Sequence, residues 1–218
     1  MIKHIKFIIS TLLLVTASST YAANEAAAPS PTPMPSLAPA LKNIMPAIVN
    51  VAVQGYLPPS EAQNNKKQGP NSEKGRKFES IGSGVIVDAQ NGIIITNDHV
   101  IRNANLVTIT LQDGRRLKAK LIGSDSETDL AILKITATNL KSLPIGDSDQ
   151  LQVGDFVVAI GNPFGLNSFG NSQSATFGIV SALKRSDLNI EGVENFIQTD
   201  AAINPGNSGG ALVNTKGE

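Results

Sequence analysis

Short runs of branched apolar residues recur along most of this 218-residue chain, each closed by residues that favour turns. The pattern predicts strands, because β-branched side chains suit a pleated surface while Gly, Asn and Asp suit tight turns. A helical turn near Pro39-Ala40-Leu41 leads into the first run, Ala47-Ile48-Val49-Asn50-Val51-Ala52-Val53. Gly84-Val85-Ile86-Val87 and Ile93-Ile94-Ile95-Thr96 flank Asn91-Gly92, a hairpin signal. Residues 107–111 and 117–122 flank Asp113-Gly114, a second one, and Leu130-Ala131-Ile132-Leu133-Lys134-Ile135 forms a further strand. After residues 140–153 the pattern restarts with Phe156-Val157-Val158-Ala159-Ile160, then residues 177–183, then Phe196-Ile197-Gln198-Thr199. Two small barrels in succession, 41–139 and 140–218, fit this order better than a sandwich, although periodicity alone leaves both open.

Three stretches fall outside that pattern. Residues 54–80 are polar, with Pro58-Pro59 and Gly69-Pro70, and predict a mobile surface loop of the kind that often carries function. Residues 23–40 are Ala/Pro-rich and predict an extended linker. Ahead of them, Lys3, His4 and Lys6 precede an apolar stretch over residues 7–17, and small residues stand at Thr20 and Ala22. This is the layout of a signal peptide cut after Ala22, the alternative being an uncleaved anchor. Export to the periplasm follows from that reading.

Composition narrows the classes. Hydrophobic residues make up 41% of the chain and aromatics only 4%, so the core must be built from Ile, Val, Leu and Ala. The formal net charge is zero, which leaves no electrostatic footprint for nucleic acid. There is no cysteine, so an exported chain would depend on packing without disulfides. With His4 lost alongside the signal peptide, His99 is the sole imidazole, and no nitrogen/sulfur metal site can be assembled. No cofactor is implied. Gly82-Ser83-Gly84 and residues 161–165 are glycine-rich, but neither opens a helix in a βαβ unit as a nucleotide site would.

The candidate chemistry lies in three residues. Ser208 stands in Gly206-Asn207-Ser208-Gly209-Gly210, where glycines permit a sharp turn and close approach of backbone to substrate. The amides of Gly206 and Ser208 could converge on an oxyanion, a donor of that kind supporting a transition state by about 3–4 kcal/mol. A serine hydroxyl needs a base, and the base needs an orienting acceptor. His99 stands at the end of a strand, where a rigid scaffold can deliver it to a cleft; a surface or capping histidine is the alternative. Asp129 opens an apolar strand, where a carboxylate is costly to bury unpaired. Asp125 and Glu127 are its rivals, and a plain turn residue is the bland alternative. Because Ala211-Leu212-Val213 reads as strand, the serine turn is not the elbow of an α/β-hydrolase.

The order His99, Asp129, Ser208 on two successive β units resembles the chymotrypsin-type double barrel. The surrounding words resemble the HtrA/Deg family of exported serine proteases: Thr96-Asn97-Asp98-His99-Val100-Ile101, Thr128-Asp129-Leu130-Ala131, Gly161-Asn162-Pro163-Phe164-Gly165, Gly178-Ile179-Val180-Ser181, Gln198-Thr199-Asp200-Ala201-Ala202-Ile203-Asn204 and Pro205-Gly206-Asn207-Ser208-Gly209-Gly210-Ala211-Leu212. The resemblance implies an all-β, chymotrypsin-like fold. It makes His99 the general base, Asp129 the orienting carboxylate and Ser208 the nucleophile, with Gly206, Asn207 and Ser208 as the oxyanion loop. Residues 185–195, bounded by Arg185 and Asn195, would be the sensor loop. Ala202, small and neutral where trypsin-like enzymes place an acid, implies a pocket for small aliphatic side chains.

The implied activity is endoproteolysis of unfolded or misfolded envelope proteins in quality control. The implied assembly is a homotrimer or larger oligomer, with residues 41–56 supplying contacts. Residues 167–176 are longer than the family's usual turn, and Phe177 replaces a small residue. Within these 218 residues the second barrel is expected to be incomplete and no PDZ domain is expected, so weak or no activity is expected of the chain as given. The competing readings are an incompetent fragment and a non-catalytic holdase.

Overall fold

The computed structural model describes residues 36–57, 76–162, 166–167, 170–171, 173–186, 188 and 192–218. The expected signal peptide, most of the linker and residues 58–75 lie outside that set. A seven-stranded sheet comes first in the chain. Its members are β1 (Ile48–Leu57), β2 (Arg76–Asp88), β3 (Ile93–Asn97), β4 (Ala104–Thr110), β5 (Arg116–Lys118), β6 (Lys120–Asp125) and β7 (Leu130–Lys134). Two short helices accompany them, α1 (Ala38–Ile44) ahead of β1 and α2 (Asp98–Ile101) after β3.

The strand order is β5-β4-β1-β2-β3-β7-β6, and every pairing is antiparallel. The two edge strands, β5 and β6, are neighbours in sequence with only Ala119 between them. The sheet therefore curls so that its edges come together at one corner, as a barrel-like sheet must. Alternation sets its inner face. Ile94 and Thr96 on β3, and Ala131 and Leu133 on β7, point inward while their neighbours are more exposed. Val49, Val51, Val53, Ile86, Ile94, Ile109 and Leu133 form the centre of the resulting core.

A four-stranded sheet follows, in the order β12-β11-β8-β13. Here β8 is Phe156–Gly161, β11 is Ser174–Arg185, β12 is Phe196–Thr199 and β13 is Ala211–Asn214. Between β8 and β11 lies a small hairpin of β9 (Leu166–Asn167) and β10 (Gly170–Asn171). The chain is mostly strand, and its first, curled sheet plus a second, partial one make a trypsin-like fold with an incomplete second barrel, as the resemblance implies.

The two ends of the expected loop over residues 54–80 are strand: Gln54, Gly55, Tyr56 and Leu57 pair with Glu79, Phe78, Lys77 and Arg76, and Gln54 and Gly55 pair with Leu106 and Ala104 of β4 as well. Backbone pairing overrides side-chain polarity there, and Phe78 packs against the first core. The run over residues 117–122 is also two strands rather than one: β5 pairs with β4, and β6 crosses to β7. At the head of the chain, Ile44, Ala47 and Ile48 pack with Leu143, Val158, Ile160 and Val213, in the core of the second half rather than the first.

Candidate active site

β3 and the turn after it deliver the imidazole. β3 ends at Asn97, whose backbone is still extended (φ −80°, ψ 146°), and the single helical turn α2 begins at Asp98. Val100 and Ile101 anchor that turn in the core, which leaves His99 on the outer side with its side chain 48% exposed. Asp98 is buried and accepts from Arg102 Nε at 3.2 Å and Nη2 at 3.0 Å, closing the turn one helical step on.

Asp129 stands at the mouth of β7 in the left-handed conformation, φ 53°. Asp is one of the few residues besides Gly and Asn that visit that region readily, and hydrogen bonds fix it there. Its carbonyl accepts from Asp98 N–H at 3.0 Å and from Asn97 Nδ2 at 2.9 Å. Its carboxylate accepts from the His99 N–H at 2.8 Å through Oδ1 and lies 2.6 Å from His99 Nδ1 through Oδ2. Residues 97–99 thus grip both ends of one buried aspartate. A carboxylate at Nδ1 accepts a hydrogen bond from the N–H of that nitrogen and favours the tautomer whose Nε2 lone pair is available as a base.

The rivals of Asp129 do other work. Asp125 caps the preceding turn, accepting from Glu127 N–H at 3.0 Å and Thr128 Oγ1 at 2.9 Å. Glu127 is exposed, and its carbonyl accepts from Val193 N–H at 3.0 Å.

Ser208 arrives from the other sheet, on the turn just before β13. β2 is paired with β3 only as far as Val85 and Ile95, so the ladder groups of Ser83 on that side are free for other partners. The Ser83 N–H donates to the Ser208 carbonyl at 2.8 Å, and Thr96 Oγ1 donates to the Ser83 carbonyl at 2.7 Å. The serine turn is thereby docked on the strand next to β3, which leads into His99. Gly209, at φ +79°, makes the approach possible: a Cβ there would lie 2.3 Å from both Ser83 O and Thr96 Oγ1. Ser208 Oγ itself has no hydrogen-bond partner among the described residues.

The turn also sorts its peptide groups. Gly206 adopts φ +91°, Asn207 N–H donates to Asn204 O at 3.0 Å, and Gly210 N–H donates to Asn207 O at 2.8 Å. Among the described residues, the N–H groups of Gly206 and Ser208 are left without an acceptor. Two unused amides beside a serine hydroxyl suit an anion that forms during reaction. Asn207 is buried, with Oδ1 accepting from Ser174 Oγ at 3.2 Å.

Ala202 lies exposed on the approach to that turn, and its carbonyl accepts from Thr176 Oγ1 at 2.7 Å. Asp200 fastens the same segment by accepting from Ile179 N–H at 2.7 Å, in a place where a Cβ on Gly178 would lie 2.4 Å from Asp200 Oδ1. Arg185 and Asn195 are both exposed, Arg185 pairing with Phe196 across β11 and β12. Phe177 is half-exposed and packs on Phe156 with ring centroids 5.2 Å apart. From the longer stretch before it, Gln173 Nε2 donates to the carbonyls of Met45 and Ile48, both at 2.8 Å. No group of His, Cys, Asp and Glu suited to a metal ion occurs among the described residues.

Sequence pattern alone does not single out Ser83, Thr96, Asn97 or Asn50. The available signal was polar residues at buried strand positions: Asn50 Nδ2 donates to Asn162 O at 2.9 Å, tying β1 to the end of β8.

A curled antiparallel sheet that carries an imidazole–carboxylate pair, with a glycine-bounded serine docked beside it from a second sheet, defines the class of trypsin-like peptidases. The chain belongs to that family, with residues 82–218 matching the trypsin-like peptidase domain. It is homologous to the periplasmic pH-dependent serine endoprotease DegQ of Escherichia coli K12, 52% identical over 192 residues that are 85% of this chain and 41% of DegQ. The periplasmic serine endoprotease DegP of the same organism is 43% identical over 229 residues, 92% of this chain and 47% of DegP. Among solved structures, the HtrA-type protease AlgW with a tripeptide is 43% identical with a TM-score of 0.68, over 84% of this chain and 52% of AlgW. The chain spans less than half the length of DegQ and DegP.

Proposed function

We propose that this chain carries the peptidase module of an HtrA-type serine endopeptidase. Ser208 Oγ attacks the scissile carbonyl while His99 Nε2 takes its proton, and the same imidazole returns that proton to the leaving amine. Asp129 holds the ring and offsets the charge it acquires. The amides of Gly206 and Ser208 receive the tetrahedral oxyanion, and water then hydrolyses the acyl-enzyme by the same route. The observation that carries the reading is the bond from Ser83 N–H to the Ser208 carbonyl, which docks the nucleophile turn beside the strand that delivers His99. The His99–Ser208 hydrogen bond forms with substrate bound, since catalytic bonds are commonly long in an unliganded site.

Ala202 lines a pocket suited to small aliphatic side chains. Substrates are unfolded or misfolded proteins of the cell envelope, in keeping with the periplasmic endoproteases that the chain is similar to. The chain reaches the periplasm through a signal peptide cut after Ala22. Residues 41–56 contribute to a trimer, and residues 185–195 form a regulatory loop. None of the described helices is long and apolar enough to cross a membrane.

The test compares the protein with its Ser208→Ala variant on casein and on a fluorophosphonate probe. Cleavage and labelling are expected only with Ser208 present. Equal cleavage by both proteins would refute the assignment.

A further inference from the structure

Gly82-Ser83-Gly84, the glycine-rich word that no nucleotide site explains, stands at the seam between the two sheets. Ser83 is fully buried, and all of its polar groups are engaged. Its Oγ donates to the Gly206 carbonyl at 2.7 Å and accepts from Asn162 N–H at 2.7 Å. Its N–H donates to Ser208 O at 2.8 Å, and its carbonyl accepts from Thr96 Oγ1 at 2.7 Å. The flanking glycines let the strand be approached this closely. A Cβ on Gly82 would lie 2.7 Å from the Val100 side chain and 3.1 Å from Ser208 O, and one on Gly84 would lie 2.9 Å from Ile94.

We infer that Ser83 is a positioning residue for the oxyanion loop, acting through its hydroxyl on the Gly206–Asn207 peptide; the inference rests on the function proposed above. That peptide is held from both sides, its oxygen by Ser83 Oγ and its N–H by Asn204 O at 3.0 Å. Of the three carbonyls at residues 206–208, Ser83 holds two, and Gly210 N–H holds the third. The carbonyls of residues 206–208 are each directed to a donor inside the protein, which leaves the N–H groups of Gly206 and Ser208 available to an oxyanion. A Gly206 carbonyl released from Ser83 can rotate together with the Asn207 N–H, bringing a negative dipole toward the oxyanion and, through the shared Gly206 Cα, disturbing the neighbouring peptide that carries the Gly206 N–H. Ser83 touches neither substrate nor Ser208 Oγ. Its effect is confined to the state in which negative charge has formed, because a ground-state carbonyl asks little of the hole.

The experiment measures two quantities in the protein and in Ser83→Ala. The first is the rate constant for phosphonylation of Ser208 by a fluorophosphonate probe, whose tetrahedral phosphorus places an oxygen in the hole. The second is the affinity for an uncleaved peptide substrate, measured in a Ser208→Ala background with and without Ser83→Ala. Phosphonylation is expected to slow by about 10²-fold, the scale of losing one oxyanion donor, with peptide affinity unchanged. A wild-type labelling rate in Ser83→Ala overturns the inference, and so does an equal fall in labelling and peptide affinity. Should Ser83→Ala not fold, Ser83→Cys keeps the space filled with a weak donor. Its labelling is expected to be slowed as well, and a wild-type rate there overturns the inference. Failure of the unsubstituted protein to label at all would instead refute the proposed function.

Discussion

Asp129 engages His99 at two points, the ring nitrogen Nδ1 at 2.6 Å and the backbone N–H at 2.8 Å. A single bond would leave the imidazole free to pivot about it. Two bonds to the two oxygens of one carboxylate tie the ring plane to the backbone of α2. The carboxylate is itself fixed, because the Asp129 side chain is only 9% exposed and its carbonyl is held by Asn97 and Asp98.

Asp129→Asn keeps the left-handed backbone, which Asn tolerates, but presents an amide to the imidazole and favours the wrong tautomer. We expect kcat on a peptide substrate to fall by about 10⁴-fold with little change in melting temperature. Steady-state kinetics and a thermal melt check both halves, and retention of activity would remove Asp129 from its role.

Gly209→Ala forces a side chain onto a φ of +79° and drives its Cβ to 2.3 Å from Ser83 O and Thr96 Oγ1. The neighbours are backbone and a buried hydroxyl, so neither can yield cheaply. The variant is expected to lose more than about 1 kcal/mol of stability and to stop reacting with a fluorophosphonate probe. Denaturant titration reads the first effect and labelling the second.

Leu133→Ala removes a side chain with no exposed surface from the middle of the first core. Cores of this kind relax only partly around a deletion, so the expected loss is about 2–5 kcal/mol. The midpoint of chemical unfolding should drop while the denaturant slope stays the same.

The Asp113 carboxylate, in the turn between β4 and β5, accepts from Arg115 Nε at 2.8 Å and from the Arg115 backbone N–H at 3.1 Å. The Arg115 side-chain bond, chiefly, holds this carboxyl below the usual carboxylate range. A folded-state value below the unfolded one means that the stabilisation is present above the unfolded pKa and is lost as pH falls through the folded one. The pair is exposed, so the effect on stability is small. Titration by NMR should find Asp113 still ionised at a pH where an ordinary aspartate is half protonated, and a normal titration curve would contradict the geometry.

Much of the fold was legible because β-structure writes its faces into alternate residues. The alternation of buried and more exposed residues along β3 and β7, the Asn91-Gly92 and Asp113-Gly114 turns, and the restart after Leu143 all have local causes. The pairing of Gln54–Leu57 with Arg76–Glu79 was not legible, since Phe78, which packs on the core, stands among Arg76, Lys77 and Glu79 without an apolar alternation, and only long-range pairing defines these strand ends. The break at Ala119 was hidden for a related reason: an apolar run does not record that its two halves bond to different partners.

By itself the sequence determined the strand-forming runs, the identity of the imidazole and the two candidate partners, and the glycines around Ser208. These are properties of neighbouring residues and of scarcity, His4 and His99 being the two histidines and His99 the one within the strand pattern. Tertiary structure alone decided that Ser83 bonds to both Gly206 and Ser208 and that Asn97 and Asp98 restrain Asp129. It also decided that residues 44–48 belong to the second core. A hydrogen bond spanning 125 residues between Ser83 and Ser208 has no local signature, because its strength depends on a distance that exists only once both sheets have formed.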